Sequence, residues 1–564
     1  MHQLPQELID RISSYLSQDS LKNTLLLSRS FRYPAERYSG AFARFNLNED
    51  TEKKFVSIYS GYRLSYLRNL ELDIRLPAPI DEDHRDDASE LRRLDESFTK
   101  QIMFLFKSLR AVEESAGTQH ETGRVRLAIS PLWRNIRSDR CLSYHDHLSW
   151  RIHLLDPKSL PLLKSVRSLE IGDGWNGRMH MRAGDLGFKQ KTVKLDYRVM
   201  VDLVTKLPNL EYWGCRFGGE EWSPKVEQEA AQYLTQDWAG PRRDTRQDFA
   251  KALSSARLPV SLQKIRLDFL HDLQESTDID HLTTQPDLTS PAASDLFSTS
   301  LHHLSHHLRR LHLRVVADET LFWPKENCAA FWPMLESFIV AFHMVSPSGQ
   351  WYFIGPNGEG RYLGAYKVTD AAYPPLETTS YDEEMNNHIE DEGDWRYRGY
   401  KNTRIRIVPN DPILRPFLAA FAKAVSNMRA LQEAVLWCPL AWDPHDEENY
   451  EDGAEWIPQA RIDMKKLAWG VHYQGVNERN FTRQGGHRPT PVPLLWWKVG
   501  KWRPDPELHE LFLQIGRSSR VEGLEEYWQD EDYGDRLVDD EYFERCAQEE
   551  VDRVGRIPSL YTTR

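Results

Sequence analysis

"LRNLELDIRL" (Leu67–Leu76) has a leucine, two residues, a second leucine, and then apolar residues at every other position: Leu70, Leu72, Ile74 and Leu76. Period-two alternation over this length predicts a strand with one face buried. The same cadence returns in "VRSLEI" at Val166, "LPNLEYW" at Leu207, "LQKIRLDFL" at Leu262 and "LRRLHLRV" at Leu308. It recurs again in "LESFIV" at Leu335 and "LQEAVLW" at Leu431. "GRVRLAIS" near Val125 and "PLLWWKVG" near Leu494 predict further strands.

Between these strands lie helical patterns at 96–112, 197–208, 246–256, 293–308 and 412–428, each preceding a strand. Helix–strand alternation of this kind resembles leucine-rich-repeat units. The leading leucines are separated by 27 to about 100 residues, whereas regular repeats hold to about 20–29. The expected fold class is therefore α/β: an irregular, insertion-rich repeat arc with a parallel sheet on its inner face. A non-repeating α/β domain is the alternative. Two insertions interrupt the pattern. Residues 81–95 are short and charged. Residues 343–403 are long; there "WYFIGPNGEGRYLGAY" predicts a β-hairpin turned at "PNGEG", followed by an acidic loop.

Composition bounds the classes. The chain has 564 residues, of which 40% are hydrophobic and 28% charged, so a large core is possible. The mean hydropathy is negative and no run of 18 apolar residues occurs, which argues against a membrane span. "MHQLPQELID" has neither a basic nor an apolar leader region. The "NFT" at Asn480 therefore has no expected use as a glycosylation site. Cys141, Cys215, Cys328, Cys438 and Cys546 are scattered, with no paired spacing for zinc or a disulfide framework. Cytosol or nucleus is the expected compartment. A net charge of −13 disfavours nucleic acid as a partner. The acidity is concentrated in 382–394, 443–455 and 522–550, which read as solvated loops or tail.

The amino-terminal stretch "LPQELIDRISSYL" (Leu4–Leu16) is of another kind. On a helical wheel Leu4, Leu8, Ile9, Ile12, Tyr15 and Leu16 fall within a sector of roughly 140°. Pro5 suits a first turn, where its missing N–H has no helical partner. A second helix is expected from "DSLKNTLLLS", capped at Asp19 or Ser20, with Leu21, Leu25 and Ser28 on one face. A third is expected through "FRYPAERYSGAFARF" (31–45), with Phe31, Ala35, Tyr38 and Phe42 aligned. Three short helices hide little surface, so the apolar stripe on the first predicts a partner groove.

These residues resemble the F-box: Leu4-Pro5, Glu7-Leu8-Ile9, Ile12, Tyr15-Leu16, Leu21 with Leu25-Leu26-Leu27, then Ser28-Arg29-Ser30-Phe31. "LSRSFRYPAE" is similar to the variant found in filamentous-fungal F-box proteins. The resemblance covers about 40 residues and implies docking to the small Skp-type adaptor, and through it to the cullin and RING subunits of an SCF-type ubiquitin ligase. The adaptor contacts it implies are Leu4, Pro5, Leu8, Ile9, Ile12, Leu16, Leu21 and Leu25. The expected division is F-box 1–47, a repeat-like substrate-binding region 60–440, a Trp-rich carboxy-terminal cap 441–516 and an acidic tail 517–564.

Chemistry-bearing patterns are few. Gly172, Gly174 and Gly177 in "GDGWNGR" match G-x-G-x-x-G after a predicted strand, with Asp196 further on. Gly184 and Gly187 break the helix that a dinucleotide site needs, so a turn between repeats is expected. "HHLSHH" offers His302, His303, His306 and His307 in i, i+4 pairs. Leu301, Leu304, Leu308 and Leu311 claim the buried face, so surface histidines are expected. No G-x-S-x-G, H-E-x-x-H or P-loop occurs. No cofactor and no catalytic residues are expected. Eight of the 18 tryptophans lie between Trp437 and Trp528. As tryptophans anchor interfaces, Trp496, Trp497 and Trp502 are the candidate substrate-binding residues, with filling of the cap's core as the other reading. The resulting expectation is a substrate-receptor subunit that catalyses by proximity. The alternatives are an adaptor-binding scaffold outside a ligase, or a repeat interaction protein with no ligase role.

Overall fold

A computed structural model describes residues 4–528 except 82–83, 118–123, 131, 137–149, 173–188, 217–228, 235–237, 271–272, 274–278, 305–306, 325–331, 393–401, 445–449, 458–466, 477–491 and 518–522. The chain is mixed α/β, organised on one twelve-stranded sheet dominated by parallel pairs. Its strands are β1 Arg44–Leu47, β2 Asn69–Leu72, β3 Val125–Ile129, β4 Val166–Gly172, β5 Tyr212–Arg216 and β6 Lys264–Asp268. They continue as β7 Arg310–Val315, β8 Ser337–Phe342, β9 Glu433–Leu440, β10 Leu467–Gln474, β11 Leu494–Lys498 and β12 Glu525–Trp528.

Order in the sheet equals order in the chain. From β1 to β9 every neighbour is parallel. β10 is antiparallel to both β9 and β11, and β12 returns parallel to β11. The ladder extends one residue ahead of several strands. Glu211 N–H donates to Arg167 O at 2.7 Å, Arg309 to Gln263 at 2.8 Å, Glu336 to Arg309 at 2.7 Å and Gln432 to Glu336 at 2.8 Å.

Parallel neighbours require crossovers, and among the described residues helices supply most of them. After three amino-terminal helices, α4 Glu52–Tyr59 lies between β1 and β2, and between β2 and β3 runs α5, Ala88–Ala116, with the side chain of Asp87 accepting from Glu90 N–H as its cap. Its buried stripe of Leu94, Phe98, Ile102, Leu105, Leu109 and Val112 follows the three-four spacing of one helical face. Later crossovers hold α6 Tyr197–Val204, α7 Glu229–Leu234, α8 Ala239–Ser255, α9 Leu296–Leu304, α10 Ser380–Glu392 and α11 Asp411–Ser426. α12 Tyr450–Trp456 and α13 Pro506–Leu513 come after them. One continuous core joins helices to sheet, including Leu70, Leu127, Leu169, Trp213, Leu267, Leu313, Val340 and Leu436.

The structure departs from the sequence expectations at several points. The third predicted helix stops at Ser39, where Gly40 turns with φ 68°, and 44–47 opens the sheet as β1. Residues 88–95, expected as insertion, are the first turns of α5. No hairpin forms at "PNGEG": Phe353–Ile354 pairs with Val408–Pro409, and Ala365–Lys367 with Gln285–Asp287. The turn is local, with Gly355 N–H donating to Glu359 O. The acidic stretch after it is helical over Ser380–Glu392. β10, "LAWGVHYQ", was not expected; it and β11 extend the main sheet, so the region assigned to a separate cap continues the same core. Part of the expected tail, 525–528, is β12.

Candidate functional site

Three helices precede the sheet: α1 Gln6–Ser14, α2 Gln18–Thr24 and α3 Arg29–Ser39. Pro5 stands just before α1 as its N-cap (φ −55°, ψ 147°), and its carbonyl accepts from Leu8 and Ile9 N–H at 3.1 and 3.2 Å. Ser17 caps α2 by accepting from Ser20 N–H. α1 turns Ile9 and Ser13 inward, where they are 2% and 0% exposed, together with Leu21, Phe31 and Ala35. Its remaining apolar side chains face out: Leu4 is 40%, Leu8 45%, Ile12 42% and Tyr15 64% exposed. Leu16 is half-buried. The turn after α2 adds exposed Leu25, Leu26 and Leu27. Of the expected adaptor contacts, Leu4, Pro5, Leu8, Ile12 and Leu25 are thus outward, while Ile9 and Leu21 are interior.

A carboxylate fixes this unit to the connection between β1 and β2. Glu36, on α3, is buried and meets the 3-10 helix Gly61–Tyr66. It accepts from Tyr62 Oη at 2.8 Å, and from Arg63 Nε at 2.9 Å and Nη2 at 2.5 Å. Arg32 Nε adds a bond at 3.1 Å. Burial opposes ionisation of this carboxyl, but the bonds from Arg63, Tyr62 and Arg32 outweigh it and hold its pKa below the ordinary value. Tyr66 Oη donates to Tyr33 O at 3.1 Å, and the Tyr33 and Tyr62 rings meet edge-on at 4.5 Å. The latch was invisible in the sequence, because Glu36 and Arg63 lie 27 positions apart and no local pattern links them.

Of the three candidate tryptophans, two are interior. Trp497 is 0% and Trp502 8% exposed. Trp497 stacks on Trp528 with centroids 4.8 Å apart, and its indole N–H donates to Glu526. The Trp502 indole N–H donates to Asp411 at the start of α11 at 2.9 Å. Both belong to the core. Trp496 is half-buried and stacks on Tyr527.

Of the glycine motif, Gly174 and Gly177 lie outside the described residues. Gly172 ends β4 at φ 109°, where a Cβ would sit 2.0 Å from Arg216 O; close approach between strands requires glycine there. His306 also lies outside. His302 is interior, contrary to expectation, with Nδ1 3.0 Å from Leu321 O and its ring against Trp332. His303 and His307 are exposed. Among the described residues no group of three metal-ligating side chains gathers, and no helix is long and apolar enough to cross a membrane. Burial raises the thiols of Cys215 and Cys438 well above their usual range, which leaves them poor nucleophiles.

A cavity of about 360 Å³ opens beside the amino terminus of α5, lined by Asp81, His84, Asp87, Glu90, Glu377 and Thr378 among others. Its floor is structural: Arg134 pairs with Asp86 at 2.6 Å and Glu90 at 2.7 Å, and Arg85 with Asp382 at 2.6 Å. No family model matches this chain, and no curated protein matches it.

Proposed function

We propose that α1–α3 form an F-box that docks a Skp-type adaptor, and that the chain is the substrate-receptor subunit of an SCF-type cullin–RING ubiquitin ligase. The observation that carries this reading is the division of α1. Ile9 and Ser13 complete the interior of the three-helix unit, while Leu4, Leu8, Ile12 and Tyr15 remain outside it after folding. An apolar ridge that its own domain leaves exposed is what a helix-binding groove takes up.

On this reading the sheet is an irregular leucine-rich-repeat-like solenoid. Support comes from strand order that matches chain order and from the helices that cross between parallel strands. The Glu36 latch then has a purpose. Ligases of this kind work by holding a client lysine near a ubiquitin-charged enzyme, so a rigid joint between the docking unit and the sheet preserves effective concentration. The chain supplies no reacting group.

The test is co-expression with a fungal Skp-type adaptor and size-exclusion chromatography, with Pro5→Ala/Leu8→Asp as control. Wild type is expected to co-elute with the adaptor and the double variant to elute alone. A folded wild-type chain that elutes without adaptor would overturn the reading.

A further inference from the structure

The face of the sheet turned away from the main core carries a strip of polar side chains. Leu70, Leu127, Leu169 and Trp213 belong to the core, so alternation sends Asn69, Arg126, Glu170 and Tyr212 to the opposite face. The strip is in register: Asn69 lies beside Arg126, Arg126 beside Ser168, and Ser168 beside Tyr212. Its members are deeply set, with Arg126 only 4% exposed, Asn69 6%, Tyr212 7% and Glu170 8%. Half-buried Glu71, Ala128 and Lys264 lie between and beside them on the same face, so the strip is not sealed.

Buried polar atoms are almost always paired, and here three are not. Asn69 Oδ1, Arg126 Nε and Glu170 Oε2 have no hydrogen bond among the described residues, while Tyr212 is turned toward Arg266. Glu170 has a countercharge in Arg266 at 3.7 Å. Arg126 has no ion pair among the described residues. A buried cation that the described residues leave without an ion pair carries a large desolvation cost, which an anion brought from outside would relieve. The face is also shaped: a Cβ on Gly214 would lie 2.6 Å from Glu170 Oε2 and 2.7 Å from Tyr212 Oη, so glycine lets both groups lie flat on the sheet.

We propose that this strip binds an extended acidic peptide, one carboxylate of which pairs with Arg126. The unpaired acceptors choose between anions. Glu170 Oε2 and Asn69 Oδ1 need donors, which the backbone N–H groups of a peptide supply along its length and a compact phosphate cannot supply to both. From β2 to β5 the strip spans three strand spacings, about 14 Å, which about four extended residues cover. The site is independent of what α1–α3 bind.

The test uses the full chain and two matched sets of fluorescent octapeptides, identical except for Asp or Glu against Asn or Gln at the two central positions. Wild type is expected to bind acidic members about 30-fold more tightly than their amide twins, the scale of losing one partner of a desolvated charge pair. Arg126→Met is expected to reduce that ratio to about one while melting no lower than wild type, because it removes a buried charge that has no ion pair among the described residues. Ala128→Trp, which places a ring on the same face, is expected to abolish binding and serves if the first variant fails to fold. Equal binding of the two sets by wild type, or an unchanged ratio in both variants, would overturn the proposal. So would inorganic phosphate competing as well as the acidic peptide.

Discussion

Leu8 and Ile9 are adjacent in the chain, and their truncations are expected to do opposite things. Leu8 is 45% exposed and Ile9 2%. Fully burying a leucine is worth about 1.5–3 kcal/mol, so covering the exposed part of Leu8 in a groove is worth about 0.7–1.4 kcal/mol. Leu4 and Ile12, exposed to a similar degree, bring the ridge to about 3 kcal/mol, or roughly a hundredfold in affinity. Leu4→Ala/Leu8→Ala/Ile12→Ala should therefore weaken adaptor binding by about that factor in calorimetry, with thermal stability nearly unchanged. Ile9→Ala removes an interior side chain and should cost about 2–5 kcal/mol, enough to unfold so small a unit, seen as protease cleavage within residues 1–40. A triple variant that binds normally, or an Ile9→Ala chain as protease-resistant as wild type, would refute the assignment of inner and outer faces.

Three further outcomes rest on named contacts. Glu36→Gln should destabilise the joint between α3 and the 3-10 helix by about 1–3 kcal/mol; because the Glu36 pKa is held low, the stabilisation is present at neutral pH and lost as pH falls through the folded value, so melting temperatures of wild type and variant should converge on acidification. Asp318 behaves with the reverse sign: burial and the neighbouring Asp295 push its pKa up to about 7, so the folded chain holds a proton that the unfolded chain releases near pH 4. Stability from this group is full below that value and lost as pH rises through about 7, and Asp318→Asn should flatten the wild-type decline in urea midpoint between pH 5 and 8. Gly172→Ala puts a methyl group 2.0 Å from Arg216 O at a positive φ, and should cost more than about 2 kcal/mol, read as a lower melting temperature or loss of soluble protein.

The strands were legible where leucine spacing and alternation agreed. Leu67, Val166, Leu207, Leu262, Leu308, Leu335 and Leu431 each lead into a strand of the main sheet. β10 was missed because "LAWGVHYQ" is buried on both faces and shows no alternation. β1 was missed because "RFNL" comes so soon after a helical pattern that the period ran on past Gly40. The hairpin failed for another reason: the turn is present, but its flanks pair with strands far away in sequence, which no local rule anticipates. At the amino terminus the apolar stripe was legible as a whole. Its split into an outer ridge and an inner Ile9 was not, because α3 decides which side is covered. The tryptophans show the limit of composition: aromatic density announces burial as readily as recognition, and Trp497 and Trp502 went to burial.

A sheet whose strands keep chain order can grow as the polypeptide leaves the ribosome. β2 meets a β1 already made, and each later strand finds its template waiting, with no need to reserve a gap for a segment not yet synthesised. A few clasps break that schedule. Arg85, just ahead of α5, pairs with Asp382 on α10, and the Arg406 side chain donates to the carbonyl of His281. Those connections close only when the later segment has emerged, so the early part of the sheet spends part of its synthesis assembled but unfastened.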